Sequence, residues 1–589
     1  MVATRGEAVG GSPQRHDGDD LAVPGVEALV LSATGDVVSL REFVSGASTY
    51  PLLAGLRPDL YRCFMSQVWA HASAQGVSGL IHPETHLTDE RAGLLRAQTY
   101  RQLARHWQFI NELVLFEIDH HVSYGVHVYG YAGHDEVAFD NAAGLFHPDT
   151  VTRSRVHDGS GEQPGFKHEG KWDLRPHQSR IQSVTDETLA VWADVLEDDN
   201  PAQTRMVYTV NEAALRTLET LSAAPRVGKL GLDFSAGWNE KTDRQAGRFK
   251  GSWGPAVWQD AILQGPHLHV STPFYKSPNA TMKHNQDWSA VDLERLAPDT
   301  MPVTAYKPTG DPVAYNAKYT HWGPDRSSSA RDHYRVAWRA MAANTGERTL
   351  ISAVIPPTSA HLYTLYCVGG GDADLRTLMS VAASATSLLH DFQVRAAPKS
   401  AILKGVFASL PMVSLDHPLI NSLLLRALRL NCLTDAYADL WAQCWDDAFL
   451  DDAPILTQHD PGQIGPEWTA QTPLRRAVDR RNALVENDAL VALMLDVPID
   501  DLVTIYRTQF AVLHGYDQRD YTYDINGRLV PNSVLAVWRK KGDAISVDER
   551  TATHTEGHDY VYELPFSTLD READLRTAYA EFERRLADS

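Results

Sequence analysis

Between positions 60 and 130 apolar residues recur first at helical and then at strand spacing, and that alternation constrains this chain most. Phe64, Val68 and His71 share one stripe of the run 61–74, which predicts a helix ending near Gly76. Residues 77–81 predict a short strand. Thr88, followed by Asp89 and Glu90, suits the bare amides at the start of a second helix reaching position 105. Further strands are predicted over 109–118 and 125–129. Strands alternating with helices of about ten to fifteen residues imply an α/β sheet with crossover connections. The sheet lacks its beginning, because residues 1–50 offer at most two short strands, 28–31 and 37–40.

The rest of the chain is more varied. Residues 134–180 are rich in Gly, Pro, His and Asp and predict loops. A helix is expected over 187–196. Residues 205–310 mix short strands with aromatic loops carrying Trp238, Trp253, Trp258, Phe274, Tyr275, Trp288 and Tyr306. Helical spacing marks 331–344, and an apolar strand over 350–355 stops at Pro356-Pro357. Longer helices are expected over 375–389, 421–445, 475–495 and 570–586, with an Asp-rich surface loop at 446–460. There is no internal repeat.

Composition excludes several classes. Of 589 residues, 43% are hydrophobic and 22% charged, so the chain is neither disordered nor fibrous. No run approaches the roughly eighteen apolar residues needed to cross a bilayer. The first twenty residues, with Arg5, Arg15, Asp17, Asp19 and Asp20 and no apolar core, form a polar tail rather than a secretory signal. Cys63, Cys367, Cys432 and Cys444 are too few and too scattered for a disulfide framework, and predict buried, reduced thiols in a cytoplasmic protein. A net charge of -21 argues against indiscriminate coating of polyanions. Yet positions 241–350 hold 14 Lys and Arg against 10 Asp and Glu, so the middle of the chain is locally positive.

Catalytic signatures are mostly absent. A dinucleotide or S-adenosylmethionine site needs a Gly-rich turn after a strand, where bare backbone meets the cofactor. The one glycine cluster, Gly369-Gly370-Gly371, precedes Asp-Ala-Asp and predicts a plain turn. His82-Pro-Glu-Thr-His86 spaces two histidines as zinc peptidases do, but Pro83 interrupts the needed helix, which predicts a surface turn. Asp149, Glu169 and Lys171 have the residue order of metal-dependent nucleases. That chemistry needs the Glu and Lys on one rigid strand, and here Pro164, Gly165 and Pro176 flank them, which predicts a loop and no metal site.

Basic and aromatic residues interleave more informatively. Lys241, Arg244, Arg248 and Lys250 precede Trp253 and Trp258, and Lys276, Lys283 and Lys307 surround Phe274, Tyr275 and Trp288. Cations position a phosphate backbone while aromatics stack on bases. The candidate DNA contacts are Arg248, Lys250, Trp253, Lys276, Lys283 and Lys307. Arg335, Arg339 and Arg348 flank an apolar strand and are expected in internal ion pairs, with Asp332 or Glu347.

Several runs resemble the large adenine-N6 DNA methyltransferases of restriction-modification and BREX- and DISARM-type phage-defence systems. They include Arg335-Val-Ala-Trp338-Arg339, Glu347 to Pro357, Trp258 to Pro266, Thr272 to Lys276, Arg429 to Thr434, Ala483 to Ala489, Leu502 to Phe510 and Asp524 to Arg528. Upstream, Gly79 to Glu84 and Tyr124 to Tyr129 look like the late part of that family's catalytic domain. The resemblance implies an α/β protein. A partial Rossmann-like methylase sheet (51–200) would follow a polar tail and linker (1–50). An α+β target-recognition domain (201–400) and a mostly helical C-terminal domain (401–589) would complete it.

The chain departs from that family at two places. The family's Gly-rich cofactor loop is missing, and so is its [N/D/S]-P-P-aromatic motif; the one Pro-Pro lies in Ile355-Pro356-Pro357-Thr358. Methyl transfer needs both, one to bind the donor and one to hold a flipped adenine. The resemblance therefore implies a DNA target-recognition part or subunit of a split methyltransferase. It would have no catalytic or cofactor residues of its own, and S-adenosylmethionine would sit on a methylase-core partner chain. The expected partners are double-stranded DNA and that core, joined through an interface above about 2,000 Å², with no membrane. The alternatives are a non-enzymatic DNA-binding scaffold of a defence complex or, more weakly, a metal-dependent nuclease.

Overall fold

The computed structural model describes residues 23–57, 59–73, 75–130, 136–343, 345–370, 374–397, 401–457, 459 and 462–588. Its first part is built on a five-stranded sheet of β1 (Ser78–Pro83), β2 (Leu103–Ile110), β3 (Ser123–Tyr129), β4 (Ala138–Leu145) and β5 (Gln182–Thr185), in the order β1-β3-β2-β4-β5. β3 is antiparallel to both β1 and β2, while β2 and β4 are parallel. Thus β1, β2 and β4 point one way and β3 is wedged between the first two. Helices α1 (Val26–Ser45), α2 (Leu60–His71), α3 (Gly93–Gln102) and α4 (Asp186–Leu196) accompany the sheet. Asp59 starts α2 by accepting the Tyr61 N–H, and Thr185 caps α4.

Four sequence expectations need correcting here. The two short strands expected at 28–31 and 37–40 lie inside α1, of which only Val44 is buried. The strand expected at 109–118 lies earlier, as β2. Buried Asn111 ends it, its amide donating to the carbonyls of Phe116 and Ile118 and accepting the Phe116 N–H, which folds the apolar residues beyond it into a loop. The expected loops of 134–180 contain β4, whose small residues Ala142, Ala143 and Gly144 hide its strand pattern, while 131–135 lie outside the described residues. The histidines of His82-Pro-Glu-Thr-His86 are not on a surface turn: His82, Glu84 and His86 are all buried beneath the sheet's first strands.

The middle of the chain begins with β6 (Asp233–Ser235), followed by β7 (Phe249–Pro255), β8 (Lys276–Pro278), β9 (Trp288–Ala290) and β10 (Val303–Pro308). Then come β11 (Arg335–Arg339), β12 (Ser352–Ile355) and β13 (Leu365–Gly369). β12, β11, β13 and β6 form an antiparallel sheet in that order. The expected helix at 331–344 is therefore a strand. Arg335 to Trp338 are buried in an unbroken run, because β11 is flanked on both sides, and such a run carries no period-2 signal.

Helices dominate the remainder: α5 (Glu212–Ser222), α6 (Leu375–Ala385), α7 (Leu388–Ala396), α8 (Ile420–Asn431), α9 (Ala477–Met494), α10 (Ile499–Gln509) and α11 (Arg571–Asp588). The single helix expected over 375–389 breaks at Ser387, which caps α7 by accepting the His390 N–H. The helix expected over 421–445 is likewise α8 plus a short helix, Ala438–Cys444. One hydrophobic core joins Met65, Trp192, Trp338, Leu428, Leu490 and Phe582, so distant parts of the sequence share the same interior. Within it Arg426 meets Glu486 at 2.6 Å and Asp452 at 2.7 Å. The four cysteines are buried and unpaired, and no described helix is long and apolar enough to cross a membrane.

Candidate nucleic-acid interface

Two β-ribbons carry most of the predicted DNA contacts. β7 pairs antiparallel with β10, setting Lys250 opposite Lys307, and β8 pairs antiparallel with β9, setting Lys276 opposite Ala290. The Trp253 indole N–H donates to the Pro278 carbonyl at 2.7 Å and joins the ribbons. With its polar end bonded, Trp253 still leaves 48% of its surface exposed. Lys250 and Lys283 are exposed and Arg248 and Lys276 half-buried. The Lys276 ammonium sits 5.1 Å from the centre of the Tyr275 ring. Lys283 lies in the β8–β9 turn, which Asp287 organises by accepting from Thr281, Asn279 and the Lys283 N–H; those bonds pull its carboxyl down to about 2.

Lys307 behaves differently from the other five. Its ammonium donates to the carbonyls of Gly254 and Pro255 at 3.0 and 2.8 Å, which bolts β10 to the end of β7. Partial burial lowers its pKa.

The ribbons are latched from the C-terminal end of the chain. A hairpin of strands Thr551–Thr553 and Asp559–Val561 reaches buried Asp292, just beyond β9. Asp292 accepts from the Tyr560 hydroxyl at 2.7 Å and meets His558 Nε2 at 2.6 Å, and its backbone N–H donates to Glu556. Thr555 bonds the Ala290 carbonyl, and Arg528 grips Glu294 at 2.9 Å.

Beneath this latch lies a cavity of about 470 Å³ that sequence reasoning missed, lined among others by Tyr275, Arg480, Arg481, Tyr521 and Tyr523. Arg480 is fully engaged, with the carbonyls of Leu430, Leu474 and Ser271 and the Thr272 hydroxyl. Arg481 bonds Asp574 and Asn482 through Nη1, while its buried Nε and Nη2 have no partner. That free edge has the fork geometry that suits a phosphate or carboxylate. The adjacent Arg480-Arg481 pair was the available sequence signal.

The positive balance of positions 241–350 is partly internal. Arg331, Arg335 and Arg348 are buried and Arg339 half-buried. Arg335 donates to the carbonyls of His333, Pro356 and Ser359, and Arg339 to those of Gly265 and Leu268. Arg348 pairs with Asp391 at 2.7 Å. These arginines are internal as expected, but their partners are carbonyls and Asp391 rather than Asp332 or Glu347. Asp292 and Glu347 also face inward, so turning four cations and two acids inside halves the segment's excess of four.

The nuclease candidates are not joined. Asp149 lies in the first turn of the helix Pro148–Ser154, while Glu169 occupies the tip of a two-residue hairpin at φ +50°. No hydrogen bond or ion pair among the described residues links Asp149, Glu169 and Lys171. Nor does a cofactor cradle open at Gly369, where a Cβ would come within 3.0 Å of Trp322 and of the Tyr334 carbonyl; Gly371 lies outside the described residues. Pro356 and Thr358 turn their carbonyls onto Arg335 and Arg331, an internal turn rather than a base-holding motif.

No family model and no curated protein matches this chain. Among solved structures, the type IIG restriction endonuclease BpuSI aligns at 13% identity and a TM-score of 0.24, over 80% of this chain and 52% of that one. The type IIL restriction-modification enzyme MmeI, in complex with DNA, aligns at 10% identity and a TM-score of 0.32, over 83% and 55%. The chain thus spans about half the length of either enzyme, and at these scores the likeness carries no argument about its fold or activity.

Proposed function

We propose that this chain is the DNA target-recognition part of a split adenine-N6 DNA methyltransferase of a bacterial restriction or phage-defence system. The observation that carries the reading is the double ribbon. It offers Lys250, Lys276 and Lys283 to phosphates and an indole whose N–H is already bonded, so that the ring faces remain for stacking. The motifs missing from the sequence support a reading in which donor binding and adenine flipping belong to a partner chain. The outer edge of β1 supports such a partner: it has no strand beside it among the described residues, and Ile81 on β1 is exposed, as are Leu29, Leu31, Val37 and Leu40 on α1. Open edges and exposed apolar side chains of this kind are normally covered.

The test is duplex-DNA affinity against salt for the Lys250→Ala, Lys276→Ala double variant. Each neutralised phosphate releases about one counterion, so the slope should flatten and the affinity fall for all sequences alike. Unchanged slope and affinity would move DNA off the ribbons and overturn the proposal.

A further inference from the structure

Five titratable side chains that the DNA reading does not use converge inside the five-stranded sheet. His82 comes from β1, Glu84 and His86 from the turn after it, His106 from β2 and His127 from the wedged strand β3. All five are more than nine-tenths buried, and His86, His106 and His127 show no exposed surface. The rings of His106 and His127 are centred 4.8 Å apart, and those of His86 and His127 5.8 Å. Ligand-type atoms of Glu84, His106 and His127 all lie within 4.8 Å of one another.

Glu84 Oε2, His86 Nε2 and both ring nitrogens of His127 are buried without a hydrogen-bond partner. Four unsatisfied polar atoms in one interior site contrast with the general rule that buried polar groups are bonded. His82, by comparison, is satisfied: Nδ1 lies 2.8 Å from the Pro83 carbonyl and Nε2 3.0 Å from the Tyr129 hydroxyl. Its ring stacks on His127 at 3.8 Å and holds that ring in place.

His106 makes the case sharper. Its Nδ1 is 2.7 Å from Asn141 Oδ1, which orients the ring, and its Nε2 faces Glu84 Oε1 at 2.5 Å, so the imidazole and the carboxylate converge on one point. An outer carbonyl oxygen that orients an imidazole is the usual support of a metal-binding histidine.

We infer that Glu84, His106 and His127 bind one divalent transition-metal ion of the zinc class, a buried centre that fastens β1, β2 and β3 together. Imidazole nitrogens with one carboxylate suit zinc, cobalt or nickel rather than calcium or magnesium, which take oxygen ligands. Because no ligand is open to solvent, the ion would be structural. The inference stands independently of the DNA reading.

The test uses the full chain, stripped with a chelator and titrated with Co²⁺. One equivalent should bind with visible d–d bands of a low-coordinate nitrogen and oxygen site, Zn²⁺ should displace it, and Ca²⁺ and Mg²⁺ should not. The Tm should rise until one equivalent of Zn²⁺ is bound. His127→Gln and Glu84→Gln should lose the bands, and His120→Gln, in the exposed Asp119-His120-His121 group, should keep them. If the interior variants fail to fold, the wild-type titration decides. A folded, stripped chain that shows no such bands overturns the inference and leaves a proton shared between His106 and Glu84; bands lost only in His120→Gln overturn it as a surface site.

Discussion

The carbonyl of Pro278 accepts the indole N–H of Trp253 across the gap between two ribbons, so one bond both joins the ribbons and frees the ring faces. Trp253→Ala should therefore weaken single-stranded and duplex DNA binding by about 1–3 kcal/mol, the range of one base–aromatic stack. Trp253→Phe should recover much of that loss while loosening the link to β8. Equal losses in the two variants, measured by fluorescence anisotropy, would show that the bond and not the ring matters.

Lys250 and Lys307 are cross-strand neighbours with different expected phenotypes. Lys250→Ala should reduce the slope of log affinity against log salt by about one. Lys307→Ala should leave the slope alone and lower the denaturation midpoint, because it orphans the carbonyls of Gly254 and Pro255. The reverse pattern would exchange the two roles.

The chain alone should neither bind S-adenosylmethionine nor methylate adenine, since its sequence has neither the Gly-rich cofactor loop nor the [N/D/S]-P-P-aromatic motif. Calorimetry with the cofactor checks this. Saturable binding at micromolar cofactor would contradict it.

Arg335 has no exposed surface and holds three carbonyls. Arg335→Met should cost roughly 3–5 kcal/mol, because those acceptors stay buried without a donor. Arg335→Lys should rescue little, as one ammonium cannot span the fork. Chemical denaturation measures both, and near wild-type stability in the Met variant would refute the role.

Asp488 gives a pH prediction with a definite sign. Burial raises its carboxyl from 3.8 to about 6, against the pull of Arg348, Arg571 and the Leu388 N–H, with Asp391 adding to the rise. Its ionised form therefore costs stability above pH 6, roughly 2–3 kcal/mol, and that cost fades as pH falls towards 4. Asp488→Asn should be more stable than wild type at pH 7, with the difference vanishing near pH 4. Glu347 acts in another window: burial opposes ionisation, but His269, Tyr521 and Arg348 hold it at about 2, so its contribution is lost only below its ordinary value. A less stable Asn variant at pH 7 would mean that Arg348 or Arg571 needs the charge.

Asp292→Ala should unlatch the ribbons. Hydrogen exchange should accelerate together over 276–290 and 551–561, because Tyr560, His558 and the Asp292 carboxylate close one contact. Acceleration in only one of the two segments would disprove the coupling.

α4 and α11, which present one face to solvent, lie where apolar spacing placed them, and α9 and β12 were placed although both are buried on nearly every side. α2 lies where expected, but its Phe64 and His71 face solvent while Cys63 and Met65 are buried. The pattern failed at β11, an unbroken buried run, and at β4, where small residues mask a strand. Interleaved cations and aromatics located the ribbons, but the sequence could not distinguish Lys250, which faces water, from Lys307, which grips carbonyls. The histidine cluster was legible only in His82-Pro-Glu-Thr-His86, which was set aside as a surface turn, because His106 and His127 join it only through the wedging of β3 between β1 and β2.

The latch at Asp292 also bears on how the protein comes into being. Strands β8 and β9 leave the ribosome well before the residues that clamp them, since Tyr560 follows Asp292 by 268 positions. Chains generally fold domain by domain as they are synthesised. Here a product stalled between the two segments would carry its candidate DNA ribbons unfastened, so the binding surface is fastened only once the hairpin of Thr551–Thr553 and Asp559–Val561 has been made.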